Sequence, residues 1–376
     1  MGSKISNFLE EHSKAKIELW SYYLSIYLNI IQRAPGINKI YIYDVFCGEG
    51  KYKGGESGSP LVTLEKIRDH YYANNNTCLN IEIKFNDNGL SEIEKGKKRI
   101  DRVEHFAKSI FKPDSVEINY SDFDSNTILT NTINKLADLK NDERALFFID
   151  PWGYKEIDPK QLKIILQNGK TEIILFLPVY LMYMFTNKAI SEDNFPGGKP
   201  LQLFIRELFG SKTPDLTSEL KYINSLTKQF KNYLTIKFST SFSIERNPGH
   251  YFSLFFFTNN KKGFQKMLET KWKLDEQNGR GYKMSVNKQQ ASLFDTTHVS
   301  NYDELVYDFI KKNKSVTNVQ LLDFGLENEY LPKHTKVVLD NLLSSDKIKL
   351  TSADNKPALS WYIDNDQRKI LVSLKQ

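Results

Sequence analysis

The stretch from Lys39 to Tyr52, KIYIYDVFCGEGKY, limits the fold more than any other part of the chain. Ile40, Tyr41, Ile42 and Tyr43 read as one buried strand that stops at Asp44. Gly48 and Gly50 follow in a tight turn. A strand that ends in a glycine turn leaves backbone N–H groups free to face a ligand, and glycine lets that backbone approach without a Cβ in the way. This is the grammar of open α/β sheets, whose ligands bind outside the carboxyl ends of the strands. The Gly-x-Gly-x-x-Gly spacing of dinucleotide binders is absent. Taken alone, the turn fits either a ligand loop or an ordinary strand-to-loop turn.

A second stretch repeats the pattern. In ALFFIDPWGY, residues 145–154, a strand again ends in an acid, Asp150, followed by Pro151, Trp152 and Gly153. In one parallel sheet both acids would face one crevice. The form Asp-x-Phe-x-Gly-x-Gly at residues 44–50 resembles the first motif of S-adenosylmethionine-binding Rossmann-like folds. Asp-Pro-aromatic at 150–152 resembles the Asp-Pro-Pro-Tyr motif of methyltransferases that act on exocyclic amino groups. That chemistry needs an acceptor for the amino N–H, a rigid turn to fix it, and an aromatic face to stack the base. Trp152 and Gly153 depart from that motif.

The rest of the chain supplies the sheet. A helical pattern covers 7–33. Strands are expected at 39–45, 79–85, 116–120, 145–149 and 172–177, alternating with helices at 60–72, 92–111, 127–139 and 160–167. That alternation predicts an α/β fold, a parallel sheet with helices on both faces. Residues 180–232 read as a helical insertion, 233–241 and 250–257 as a closing antiparallel pair with a loop between them, and 263–273 as a helix. A polar, non-periodic stretch at 288–299 marks a boundary between a domain over 1–290 and a smaller one over 300–376. The smaller one shows helices at 305–312, 318–324 and 333–343, then short strands at 348–350, 361–363 and 370–374, a winged-helix order.

Charge is unevenly placed. The chain carries +6 overall, yet residues 199–288 alone hold 16 Lys and Arg against seven Asp and Glu. Lys228, Lys231, Lys237, Arg246, Lys261, Lys262, Lys266, Lys271, Lys273, Arg280 and Lys283 are interleaved there with Phe, Tyr and Trp. Such a segment is either a phosphate-binding surface for RNA or DNA or a solvated lysine-rich face. The smaller domain is balanced, which leaves duplex binding and protein contact equally open for it. No apolar run approaches membrane-spanning length. Cys47 and Cys78 lack metal-ligand spacing and fit a reducing cytoplasm.

HSKAKIELW near the start, DVFCGEGKY, Gly58-Ser59-Pro60 and FFIDPWGY recur together in one family. On these motifs the chain resembles the three-Cys-motif partner proteins, TcmP, over residues 8–290, and the C-terminal unit is also similar. More distantly it is similar to a bacterial 23S rRNA adenine-N6 methyltransferase family. The resemblance implies an S-adenosylmethionine cofactor and a nucleic-acid base amino group as substrate. It also implies a radical-SAM-like protein with three cysteines as partner. The alternative is a non-catalytic partner or sensor in a mobile-element or phage-defence cassette. On the family pattern Asp44, Phe46, Gly48 and Gly50 hold the methionine part of the cofactor. His12 and Lys16, four apart on one helix face, reach the cofactor carboxylate or close the site. Asp87 or Asn86 takes the ribose hydroxyls, and Asp122 accepts from the adenine amino group or caps a helix. Asp150, Pro151 and Trp152 face the substrate. No residue is assigned to a metal.

Overall fold

Strands buried on both faces read as unbroken apolar runs, and three such runs form the middle of the sheet: β1 (Lys39–Asp44), β4 (Glu143–Ile149) and β5 (Thr171–Leu177). The computed structural model describes residues 9–192, 198–247, 250–275, 279, 281–282, 301–352, 360–364 and 367–375. These fall into two compact units, one running to Leu274 and taking in 281–282, the other holding everything from 301 onward.

In the first unit, α1 (Glu11–Arg33) precedes β1, and α2 (Ser59–Ala73), β2 (Asn80–Asn86), α3 (Arg99–Ala107), β3 (Val116–Ser121) and α4 (Ser125–Ala137) lead to β4. Then α5 (Pro159–Leu166) leads to β5. Three insertion helices follow, α6 (Val179–Ser191), α7 (Lys199–Phe209) and α8 (Glu219–Leu234). The sheet closes with β6 (Phe238–Asn247) and β7 (His250–Thr258), after which come α9 (Lys261–Leu274) and the two-residue β8 (Gly281–Tyr282). The strand order is β3-β2-β1-β4-β5-β7-β6-β8. β1 to β5 pair in parallel, and β7 runs antiparallel between β5 and β6. This is a Rossmann-like α/β sheet with a helical insertion.

The pleat sorts side chains to two layers. Tyr41, Tyr43, Ala145, Phe147 and Ile149 face one core with the buried faces of α4, α5, α6, α7 and α8. Ile40, Ile42, Leu146 and Phe148 are the alternate, equally buried set. On their side, Trp20 of α1 lies 4.8 Å from Phe148, ring centre to ring centre. Each such aromatic contributes about 1.5–3 kcal/mol by leaving water. The chain reverses direction across the sheet between β1 and β4, which is where an open α/β sheet leaves a crevice.

Several expectations are corrected. The helix expected over 92–111 begins only at Arg99 and ends at Ala107. Gly96 breaks it with φ of +84°, and Glu49 draws the 91–92 segment aside by accepting the Glu92 N–H and the Ser91 hydroxyl. The strand expected at 233–241 starts at Phe238, because Tyr233 and Leu234 complete α8 and Thr235 caps it in the left-handed region. The loop expected between the last two strands is mostly strand, since β6 continues to Asn247. Pro248 and Gly249 lie outside the described residues.

The second unit holds α10 (Tyr302–Asn313), β9 (Ser315–Thr317), α11 (Asn318–Glu327), α12 (Pro332–Ser344), β10 (Ile348–Ser352) and β11 (Ile370–Leu374). Its sheet is antiparallel, in the order β10-β11-β9. Residues 361–363 are not a strand: Trp361 is tied to Asp340 of α12 through its indole N–H instead. Asn318 secures the same segment by donating to the Tyr362 carbonyl. Among the described residues no helix is long and apolar enough to cross a membrane.

Candidate functional site

The carboxyl ends of β1 and β4 open into a cleft of about 350 Å³. Its floor and walls come from the glycine turn (46–50), the start of α2 at Gly58 and Ser59, residues 150–152 after β4, and the first turns of α1. Gly48 and Gly50 have φ of +67° and +81°, a region L side chains avoid. The turn is drawn onto α2, where the Gly58 N–H donates to the Gly50 carbonyl at 2.7 Å. A Cβ at Gly58 would stand 3.2 Å from that oxygen, which explains why glycine precedes Ser59-Pro60 there. Pro60 sits in the first turn of α2, where its missing N–H leaves no bond unmade.

Asp150 is held by Lys16. The Lys16 ammonium donates to its carboxylate, and both side chains are largely covered, with 11% and 19% of their surface exposed. Burial pulls the lysine down, but the Asp150 carboxylate, with Tyr52 and Asp44 nearby, leaves it above the ordinary value. The ammonium also lies over the Phe176 ring, 4.6 Å from its centre. Beneath this pair lies Asp44, fully buried. Its Oδ2 accepts from the Ser59 hydroxyl at 2.6 Å, while Oδ1 has no hydrogen-bond partner among the described residues. Burial raises the Asp44 carboxyl to about 8, with Ser59 opposing and Asp150 and Asp87 adding to the rise. At neutral pH this group is chiefly the uncharged acid.

The opposite wall is ionic. Asp87 accepts from the Gly48 N–H at 3.0 Å and the Gly89 N–H at 2.8 Å. Arg99, the first residue of α3, lies 3.7 Å from Asp87, 4.0 Å from Glu49 and 3.2 Å from Glu92. Trp152 covers that guanidinium at 4.8 Å from its ring centre, yet stays 54% exposed. On the α1 side, His12 stacks on Phe252 at 4.9 Å, and Phe252 meets Phe176 at 5.3 Å. The cleft thus has ring faces on two walls, a carboxylate with its counter-cation, and a protonated acid below.

Of the residues expected from sequence, His12, Lys16, Phe46, Gly48, Gly50, Asp87, Asp150, Pro151 and Trp152 line this cleft. Three do not. Asp44 is one layer beneath the lining. Asn86 turns inward as a latch, donating to the Val45 and Phe123 carbonyls and accepting from Ser121 and the Phe123 N–H; its amide is fully engaged. Asp122 lies on the surface, ion-paired with Lys98, and lines a separate open groove beside β3. Asp122 therefore lies apart from Asp44 and Asp150. Glu49, Ser59, Arg99, Phe176 and Phe252 were not singled out from sequence. Ser59 and Glu49 lie inside motifs quoted from the sequence, Gly58-Ser59-Pro60 and the glycine turn, though neither was given a role; Arg99, Phe176 and Phe252 come from distant segments without a motif.

The basic segment is only partly a surface. Lys228, Lys231, Lys237, Lys262 and Lys273 are exposed. Lys271 is buried against Thr240 and Lys266 is paired with Glu269. Arg280, Lys283 and the side chain of Arg246 lie outside what is described.

The residues present fit the cofactor that the sequence motifs imply. No atom lies within 4 Å of a Cβ built on Gly48, so the turn leaves open space there, and among the described residues Asp44 Oδ1 is buried without a hydrogen-bond partner. No family model matches the chain, and no curated protein does. Two solved structures share some of its shape. Protein LPL1258 from Legionella pneumophila, of family DUF519, matches at 12% identity and a TM-score of 0.38, over 68% of this chain and 89% of its own. A loganic acid methyltransferase solved with S-adenosylhomocysteine matches at 10% identity and 0.27, over 69% and 99%. At these scores neither likeness bears on fold or chemistry.

Proposed function

We propose that the first unit is an S-adenosylmethionine-dependent methyltransferase acting on a base amino group of nucleic acid. One observation carries this reading: the glycine turn after β1 and Asp150-Pro151-Trp152 after β4 meet in one cleft at the sheet's crossover point. Asp87, Gly48 and Gly50 would hold the cofactor, whose sulfonium methyl group is the electrophile. Asp150 accepts an N–H of the target amino group and so raises the nitrogen's electron density. Pro151 fixes that acceptor, and Trp152 offers a ring face. The ion pair with Lys16 holds Asp150 in place. No strong base is needed, because alignment and water exclusion supply most of the rate.

Titration with S-adenosylmethionine and S-adenosylhomocysteine by calorimetry tests the cofactor half. Micromolar binding is expected, and its loss in Gly48→Arg, which fills the turn at a positive φ. In Asp150→Ala, transfer of a tritiated methyl group to RNA or DNA should vanish while cofactor affinity stays within a few-fold. Failure of both ligands to bind the parent protein overturns the reading. The Lys16–Asp150 ion pair also favours a second reading, a sensor that binds the cofactor without transferring the methyl group. Binding with no transfer to any RNA or DNA would select it.

A further inference from the structure

The aromatic surface does not stop at the cleft. Tyr180 lies in the first turn of α6 and His250 is the first residue of β7. Each is two residues from a cleft-lining residue, Pro178 and Phe252 respectively. Their rings meet with centres 3.9 Å apart and planes inclined at 53°. Both side chains remain partly exposed, yet His250 Nδ1 is shielded from solvent and has no hydrogen-bond partner among the described residues. A shielded, unpaired ring nitrogen is unfavourable unless something returns the bond.

Beyond this pair, α6 turns Leu181, Met184 and Phe185 outward, with exposures of 46%, 46% and 37%. Large apolar groups grouped on one exposed face mark a binding surface. The same helix pair carries exposed cations, Lys188 on α6 and Lys199 and Arg206 on α7, which packs against α6. Ring faces, an unpaired heteroatom and flanking cations suit nucleotides: bases stack on the rings and the backbone meets the charges. An acidic peptide would use the cations but leave the ring pair without a flat partner.

We infer that Tyr180 and His250 form a second base platform, which holds the nucleotide next to the one presented to Asp150, so that the substrate is a single-stranded segment of at least two nucleotides. This rests on the methyl-transfer reading above and narrows it. A base amino group must leave a duplex before it can enter such a cleft. A neighbour stacked outside the cleft holds the strand in that state.

The test uses the full chain without cofactor. Fluorescence anisotropy compares labelled ten-nucleotide single strands, of RNA and of DNA, with the matching duplexes. The parent protein should prefer the single strand. Tyr180→Ala should weaken that binding about ten-fold, in the range of one lost stacking contact, and Tyr180→Phe should restore it. Cofactor affinity, read by calorimetry, should be the same in all three proteins. Equal binding of single strand and duplex overturns the inference, as does parent-like binding by a folded Tyr180→Ala. Competition by an acidic peptide as strong as that by the oligonucleotide overturns it too. Absence of cofactor binding together with a Tyr180-dependent single-strand preference would remove the methyl-transfer reading and leave the platform standing.

Discussion

Asp44 shows how far one residue's state depends on its surroundings. Its type and place at a strand end can be read from sequence; its protonation cannot, because α2 and the Ser59 hydroxyl that define its environment come from a later segment. Its carboxyl lies near 4 when unfolded and about 8 when folded. The folded protein therefore binds the extra proton between those values, and stability falls as pH rises from about 4 to about 8, then levels off. Asp44→Asn is uncharged throughout and keeps an oxygen for Ser59. In urea unfolding the variant should gain on the parent steadily across that window, by on the order of a few kcal/mol at its upper end, since one pKa unit is worth about 1.4 kcal/mol. Glu172, raised by burial to about 7, slopes the same way in both proteins and cancels in the difference. A gap that does not widen with pH would mean that Asp44 is ionised in the native state.

Elements were legible where a single period governs them. The apolar runs of β1, β4 and β5 and the helical spacing of α1 leave few alternatives. They failed where two signals compete. In residues 241–244, Phe242 and Ile244 are buried and alternate with serines, a strand pattern, but the Asn247-Pro248-Gly249 turn signal outweighed it. In 92–98 the charged run reads as helix, and the tie to Glu49, 42 or more residues away, is invisible locally. Gly96 decides that case by experiment. Its φ is +84° and no atom lies within 4 Å of an added Cβ, so only backbone strain matters. Gly96→Ala should cost roughly 1–2 kcal/mol. Were the residue inside a helix, the same change would stabilise by roughly 0.5–1 kcal/mol. The sign of the shift in the urea midpoint separates the two. The ionic wall was illegible for the same reason: Glu49 and Asp87 lie in or beside segments the sequence marks, but Arg99, which joins them, comes from a third segment without a motif.

At the scale of the whole molecule, each unit closes its own core. Every residue lining the cleft lies between Glu10 and Phe252, in the first unit. The second unit packs Val316, Leu321, Leu339, Ile348, Ile370 and Val372, from β9, α11, α12, β10 and β11, to zero exposure. A unit of this size has little stability to spare. An unpaired charge at its centre costs several kcal/mol, more than so small a core can offset. Leu339→Asp should therefore unfold the second unit alone. Calorimetric unfolding of the parent should show two transitions. The variant should lose the one that belongs to α10–α12, with the loss followed by fluorescence of Trp361, the tryptophan of that unit. The remaining transition, carrying Trp20, Trp152 and Trp272, should stay in place, and so should the dissociation constant for S-adenosylhomocysteine. A shift of both transitions together would show that the two cores fold as one, and the cleft could then no longer be treated as the property of the first unit.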